Sequence, residues 1–308
     1  MSLPPKPTRR IRRRQARLRH LVPLVVVAAL MSVVGVFAAA EASHGSLRDA
    51  GTATLPSTTL SPRAHPQKHR HRGRPVAVPI LMYHHVAPRP QGSPLLWVTP
   101  RQLAAELVFL RRHGYHTVTL GQVYACWTSG SPLPRRPVVL SFDDGYLDQY
   151  RYAAPLMRRD GDVAVLNLVV HNLGRALTVA DVARMAAWGW EIDSHTITHR
   201  DLALLPSSVV RCELLGSRNL LRRYLHLPVD FFCYPGGAYD AAVVRAVRKA
   251  GYLAATSVVY GLARPGELFT LPRIVVFGGE RLGLFGESLS GSEEAGDAID
   301  RAVDGQGL

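Results

Sequence analysis

From about residue 77 to 285, short apolar runs alternate with stretches of helical period. Residues 78–83 (VPILMY) read as a strand, and Thr99 then caps a helix with Pro100 at its first position and Gly114 past its end. Residues 137–142 form the next apolar run, followed by 162–170. Thr178-Val-Ala-Asp181 starts a helix in capping-box fashion, and that helix stops near Gly189. Residues 191–194, 230–234, 252–257 and 271–276 read as further strands, with helical stretches at 204–225 and 240–250. Repeated strand–helix alternation predicts an α/β fold with a parallel sheet and helices outside it. About seven such units predict a barrel or a distorted (β/α) barrel, and no internal repeat is seen.

Outside that region the pattern changes. Residues 21–40 are uncharged and apolar, the length needed to cross a hydrocarbon core. Residues 1–20 carry eight Lys or Arg and no acid. This asymmetry predicts a basic cytoplasmic tail, a transmembrane helix over 21–40, and a body on the far side of a cell membrane. The small residues Ala38-Ala-Ala40 and Ala40-Glu-Ala42 keep a cleaved signal segment, and so a secreted body, as the alternative. Residues 41–76 are rich in Ser, Thr, Pro, Arg and His and read as a disordered linker. Residues 286–308 lose bulky side chains and read as a disordered tail, which leaves 77–285 as one catalytic domain.

The net charge of +14 belongs to these flanks. Without residues 1–20 and 41–76 the chain holds 23 basic and 21 acidic side chains, so no nucleic-acid partner is expected. Cys126, Cys212 and Cys233 are odd in number and widely spaced, which predicts neither disulfides nor a zinc cluster but small buried hydrophobes.

Two motifs carry chemistry. The run Val138-Val-Leu-Ser-Phe-Asp143-Asp144-Gly145 ends a strand on two adjacent carboxylates. Alternation within a strand would face them to opposite sides, and Gly145 lets the chain turn at once. One acid could bind a cation while the other stays free to take a proton. The second motif is Asp193-Ser-His195-Thr-Ile-Thr-His199, also at a strand end. On a continuous strand the two histidines would lie about 13 Å apart. In a helical turn they come within about 5–6 Å, close enough to share one ion. Two imidazoles and a carboxylate with open positions suit a catalytic metal site.

These motifs resemble those of the polysaccharide deacetylase family, carbohydrate esterase family 4. SFDDG is followed by SHTITH and then Arg200-Asp-Leu202. The resemblance implies a distorted (β/α) barrel, one divalent ion, with zinc expected, and removal of acetyl groups from N-acetylated sugars. It implies Asp143 as catalytic base and Asp144, His195 and His199 as metal ligands. A third motif, Phe231-Phe-Cys-Tyr-Pro235-Gly-Gly237-Ala-Tyr239, departs from the Arg-x-Pro-Tyr of many members and is similar to the poly-N-acetylglucosamine deacetylase branch. A backbone N–H near Gly236 would help hold the oxyanion. The missing arginine would be supplied by Arg273 of Leu271-Pro-Arg273. No histidine follows His226, so the usual late acid is absent. By resemblance to that branch, His84 of the early Tyr83-His84-His85 run is the general acid, with His85 turned away.

Tyr146, Tyr234 and Tyr239, in or beside the motif loops, are the expected sugar contacts; Trp97, Trp127, Trp188 and Trp190 could also stack on sugars. The expected partners are an N-acetylated polysaccharide and, through 21–40, the membrane, with the chain a monomer. Two other readings stay open: a deacetylase of peptidoglycan sugars or of a small amide, and a catalytically weak glycan-binding protein.

Overall fold

The computed structural model describes residues 70–71, 76–90 and 94–291. Seven parallel strands close on themselves. They are β1 (Ile80–Tyr83), β2 (Pro137–Asp144), β3 (Val165–Leu168), β4 (Glu191–Ser194), β5 (Phe231–Cys233), β6 (Ala254–Tyr260) and β7 (Leu271–Val275). The order runs β1-β7-β6-β5-β4-β3-β2, and β2 returns to β1 through the register Ile80↔Val139 to Tyr83↔Phe142. The pair His116–Thr117 lies outside β2 as an extra strand, and His85–Val86 pairs with Trp97–Val98 beyond the end of β1.

Seven helices surround the barrel: α1 (Pro100–Arg112), α2 (Leu120–Ser129), α3 (Ala154–Asp160), α4 (Val179–Ala187), α5 (Ser207–Leu225), α6 (Ala241–Lys249) and α7 (Leu282–Ser288). Local chemistry starts several of them. Thr99 Oγ1 accepts from the Gln102 N–H before α1, and the capping box at Thr178 has both of its bonds. A second capping box, Thr119 with Gln122, starts α2, which the hydrophobic pattern did not reveal.

The strands have two faces. Leu81, Tyr83, Leu140, Phe142, Leu166, Ile192, Phe232 and Ile274 face outward into one cluster with the helices. Ile80, Val139, Val165, Phe231, Ala254 and Leu271 form an apolar layer inside, joined by Leu120 and Val123 of α2. Helix α2 thus plugs the amino-terminal end of the barrel. Its first turn also donates Gly121 N–H to Glu191 at 2.8 Å, favourable for an anion at a helix start. A Cβ at Gly121 would lie 2.6 Å from Glu191 Oε2, so a larger residue there would displace the carboxylate. Above this layer the inward residues become polar, and the carboxyl ends of the strands are left for chemistry.

Residues 1–20, 21–40 and most of 41–76 lie outside the described residues, as does 292–308. Among the described residues no helix is long and apolar enough to cross a membrane. The expected domain boundary at 285/286 is corrected. Helix α7 runs through it, with Phe285, Ser288 and Leu289 buried. Its turns hide only one apolar side each, a signal too thin beside the Gly, Ser and Glu around it.

Two carboxyls behind β1 carry a testable consequence. Glu106 of α1 is buried, accepts from Tyr83 Oη at 3.0 Å and from Gln102 Nε2 at 2.9 Å, and burial pushes its pKa from 4.5 to about 8. Burial raises Glu280 from 4.5 to about 7. Both groups hold a proton more tightly folded than unfolded. The stability they add is complete below about pH 4.5 and is lost as pH rises through 7 and 8, at up to about 1.4 kcal/mol per pH unit for each group. Thermal melts from pH 5 to 8.5 are expected to show a falling Tm, and Glu106→Gln is expected to flatten that fall. An unchanged slope in Glu106→Gln would refute the assignment.

Candidate active site

Strand β2 delivers both acids of the Asp-Asp-Gly motif, but by different means. Asp143 continues the inward row of Val139 and Ser141. Alternation alone would turn Asp144 outward. Instead Asp144 has φ 75° and Gly145 φ 81°, so the left-handed turn starts on the second aspartate and swings its side chain to the same rim. Aspartate tolerates this backbone better than most residues. At Gly145 a Cβ would meet Leu168 Cδ1 at 2.3 Å.

Asp143 is tied to Arg273 by two bonds, Nη1 to Oδ1 and Nη2 to Oδ2, each 2.8 Å. Both residues are almost fully buried. Such two-pronged pairs are strong and orient both partners. Asn167 Nδ2 adds a bond to Oδ1 at 2.7 Å. The guanidinium is fixed in turn by Ser257 O at 2.8 Å, Ser141 Oγ at 3.2 Å and Cys233 Sγ at 3.2 Å. Burial alone would raise the Asp143 pKa, but the Arg273 charge, then His195 and His84, hold it well below the usual carboxylate range. Asp143 is therefore an ionised acceptor with a fixed direction. Arg273, expected from sequence to replace the missing arginine, is the partner of Asp143.

The two histidines are not brought together by a helical turn. Residues 195–199 form an irregular bend, with positive φ at Thr196 (68°) and His199 (59°). Glu213 of α5 holds this bend by accepting from Ile197 N, Thr198 N and Thr198 Oγ1 at 2.8, 3.1 and 2.5 Å. His195 Nδ1 bonds the Cys233 carbonyl at 2.8 Å, so Nδ1–H is the donor and the Nε2 lone pair faces the site. His199 Nε2 lies 3.2 Å from His195 Nε2. Asp144 Oδ1 is 3.5 Å from the former ring's partner, His195 Nε2, and 3.2 Å from His199 Nε2.

These three residues fit a divalent cation. Both Asp144 oxygens are buried without a hydrogen-bond partner, although two imidazole nitrogens stand close by. Unpaired buried oxygens are costly, and a cation would offset that cost. One carboxylate and two imidazoles converge within 4.8 Å and leave positions open to solvent-derived or substrate ligands. The same donor set accepts several borderline ions.

His84 ends β1 at the position facing Asp143, since Tyr83 registers with Phe142. It is buried, and its Nδ1 has no partner. Burial lowers its pKa, while the charges of Asp143 and Asp144 oppose that shift. Gln149 Nε2 binds the His84 carbonyl at 2.7 Å and the Asp143 carbonyl at 2.6 Å. Gly236, φ 58°, lies in the short turn Pro235–Gly237 directly after β5, on the same rim.

The expected sugar contacts fare unevenly. Tyr146 follows the aspartates and is half-buried, with its hydroxyl pushed upward in pKa by burial and by Asp144. Tyr234 is corrected: it is fully buried, packs against Phe232 and donates its hydroxyl to Phe269 O at 3.0 Å, so it is a core residue. Tyr239 packs on Tyr234 and lines a shallow hollow with Arg245 and Arg248 on the flank of α6. Trp97 and Trp190 are buried as well. Of the cysteines only Cys233 is buried, and its neighbours are charged rather than apolar; Cys126 is partly covered and Cys212 exposed.

The chain is similar to several known proteins. Residues 130–255 match the family model described as Polysaccharide deacetylase. YxkH of Bacillus subtilis, whose name places it among polysaccharide deacetylases, is 30% identical over 216 residues, covering 69% of this chain and 76% of that one. The poly-beta-1,6-N-acetyl-D-glucosamine N-deacetylase of Escherichia coli is 22% identical over 254 residues, which span 68% of this chain but 38% of that longer protein. The solved structure of the Streptococcus pyogenes deacetylase PplD in complex with acetate shares the fold, with a TM-score of 0.67 and 23% identity over 70% of this chain and all of that one.

The convergence of Asp144, His195 and His199 predicts one divalent ion per chain. Metal analysis of the full-length protein after zinc loading is expected to find one equivalent, lost when His195→Ala and His199→Ala are combined. Full occupancy in that double variant would rule these ligands out.

Proposed function

The chain belongs to the polysaccharide deacetylase family, and we propose that it is a metal-dependent hydrolase that removes N-acetyl groups from an extracellular or cell-wall polysaccharide of poly-N-acetylglucosamine type. One observation carries the reading: two adjacent aspartates are held apart in role. Asp143 is committed to Arg273 and Asn167, whereas Asp144 stands unpaired beside two imidazoles. An amide hydrolase using water needs this division, an anionic ligand and a separate proton acceptor.

A divalent ion bound by Asp144, His195 and His199 would polarise the acetamide carbonyl and make water acidic enough to attack near neutral pH. Asp143 takes the proton from that water, and Arg273 with Asn167 keeps its carboxylate aimed. The backbone N–H at Gly236 adds a donor for the negative oxygen of the tetrahedral intermediate. His84 gives a proton to the amine nitrogen as the C–N bond breaks, releasing acetate and the free amine. Tyr146 and Tyr239 line the path of the sugar chain. An exported body suits a polymer substrate, in keeping with the uncharged span at 21–40 behind an arginine-rich arm. Likeness to the E. coli enzyme supports the N-acetylglucosamine polymer among the possible glycans.

Incubating the full-length protein with N-acetylglucosamine oligomers and, separately, with peptidoglycan, while measuring acetate and free amines, tests the function. Release from the oligomers that stops on chelation is expected. Release from peptidoglycan alone would move the substrate to cell-wall sugars, and binding without release would make the protein a glycan-binding module.

The two aspartates are expected to fail differently. Asp144→Asn loses metal and activity together. Asp143→Asn keeps the metal and loses turnover, with a lower Tm because Arg273 is left buried without its counter-charge. The reverse pattern would exchange the two roles. His84→Ala is expected to keep metal and fold but slow amide cleavage by roughly 10²–10⁴-fold. An acetyl ester with a good leaving group needs little protonation and should be slowed far less. Equal loss on amide and ester would make His84 structural.

A further inference from the structure

Beside the centre lies a group that the reaction does not use. The rings of Trp97, His85 and Tyr146 stack in a row. Centroids are 3.7 Å apart on both sides of His85, with planes 2° from Trp97 and 20° from Tyr146. His85 Nδ1 is 2.7 Å from Asp148 Oδ2, and Asp148 Oδ1 accepts the Val86 N–H at 3.2 Å. His85 Nε2 is buried with no partner. Both ring faces and one nitrogen are thus occupied, and the other nitrogen is sealed from solvent. No polymer substrate can touch this imidazole, so any effect on chemistry must pass through a neighbour.

The neighbour on the side of the centre is Tyr146. It lies two residues after Asp144, across a backbone that is left-handed at both Asp144 and Gly145. Asp144 closes β2 in register with Leu168, its carbonyl accepts from Val169 N–H at 3.3 Å and Asn172 Nδ2 at 2.9 Å, and Gly145 N–H closes back on the Asp143 carbonyl at 3.0 Å. The backbone of Asp144 is therefore fixed, and the aim of its carboxylate depends on the side chains that stand beside the turn. Beside the turn stands the stacked pair of Tyr146 and His85, itself locked by Asp148 from the helical segment that follows. The lock is two-ended: Asp148 grips His85 and Val86, while the next residue, Gln149, grips the carbonyls of His84 and Asp143.

Resting on the metal reading above, we propose that Asp148 and His85 form a buried prop that holds Tyr146 against the Asp144 turn, and that this prop sets how tightly the centre binds its ion. His85 and Asp148 are positioning residues; they touch neither ion nor substrate. Groups that orient metal ligands commonly alter affinity by about 10–100-fold when removed.

The test is zinc affinity of the full-length protein, read by competition with a chromophoric chelator, alongside a thermal melt. His85→Ala is expected to weaken zinc binding by about 10–100-fold. Asp148→Asn changes a single atom, keeps the stack, and is expected to weaken it in the same direction by a smaller factor. Because both act through Tyr146, the double variant His85→Ala/Tyr146→Ala should be no weaker than Tyr146→Ala alone. A role in stability only would lower Tm and leave zinc affinity unchanged. Wild-type affinity in folded His85→Ala or Asp148→Asn overturns the prop, as does strict additivity with Tyr146→Ala. Absence of zinc binding in the unmutated protein would instead overturn the metal reading itself, and the prop with it.

Discussion

A guanidinium and a carboxylate face each other inside the barrel with no water between them, Arg273 from the last strand and Asp143 from the second. Either charge alone would be expensive there. Together they are tolerated only because each remaining donor and acceptor is met: Asn167 on the carboxylate, and Ser257, Ser141 and Cys233 around the guanidinium. Breaking one side of such a buried pair typically costs about 3–5 kcal/mol. The pair fixes the direction of Asp143 and gives its carboxylate a counter-charge. That leaves Asp144 as the acid able to turn toward His195 and His199, and the positive φ at Asp144 achieves the turn. A strand that ends on two acids is stable here because one is neutralised internally and the other is positioned for an ion.

The rest of the barrel can be read as support for that polar interior. The lower half is apolar and sealed by Leu120 and Val123 of α2. Glu191 sits level with that layer, half-buried, and Asp193 lies above it, buried. Burial and the charge of Glu191 push the Asp193 pKa well up. The interior therefore grades from apolar to polar and charged towards the carboxyl ends of the strands.

Much of the scaffold was legible because its signals are local. Strand 191–194 and the capping box at Thr178 depend on a few neighbouring residues, and the structure reproduces them. Helix α2 had an equally local signal, Thr119 with Gln122, which the hydrophobic period alone passes over. The candidate ligands were legible as residue types, but the geometry joining His195 to His199 was not. Its bend is held by Glu213, distant in sequence, and by positive φ at Thr196 and His199, which residue type does not announce. Asn167, Gln149 and Asp148 escaped for the same reason, since each acts on residues distant in sequence. Tyr234 misled because a tyrosine inside a motif says nothing of which face of the strand it takes. Cys233 misled because its burial is real while its neighbours are charged.

Closure of the sheet explains how residues so far apart in sequence come to share one rim. Strand β1 pairs with β2 on one side and with β7 on the other. His84, Asp143 and Arg273 thus come from β1 and the two strands that flank it, although 189 positions separate the first from the last. In an open sheet β1 and β7 would end on edges or need a different order to meet. In the barrel a histidine at the end of the first strand stands directly beside Asp143 of the second. Chain order is then free to vary while the rim stays the same. Under the proposed mechanism a proton donor is needed beside β2, and His84 stands there although no histidine follows His226. The loop after β2 turns this closeness into fixed geometry, since one amide of Gln149 holds the carbonyls of His84 and Asp143 together.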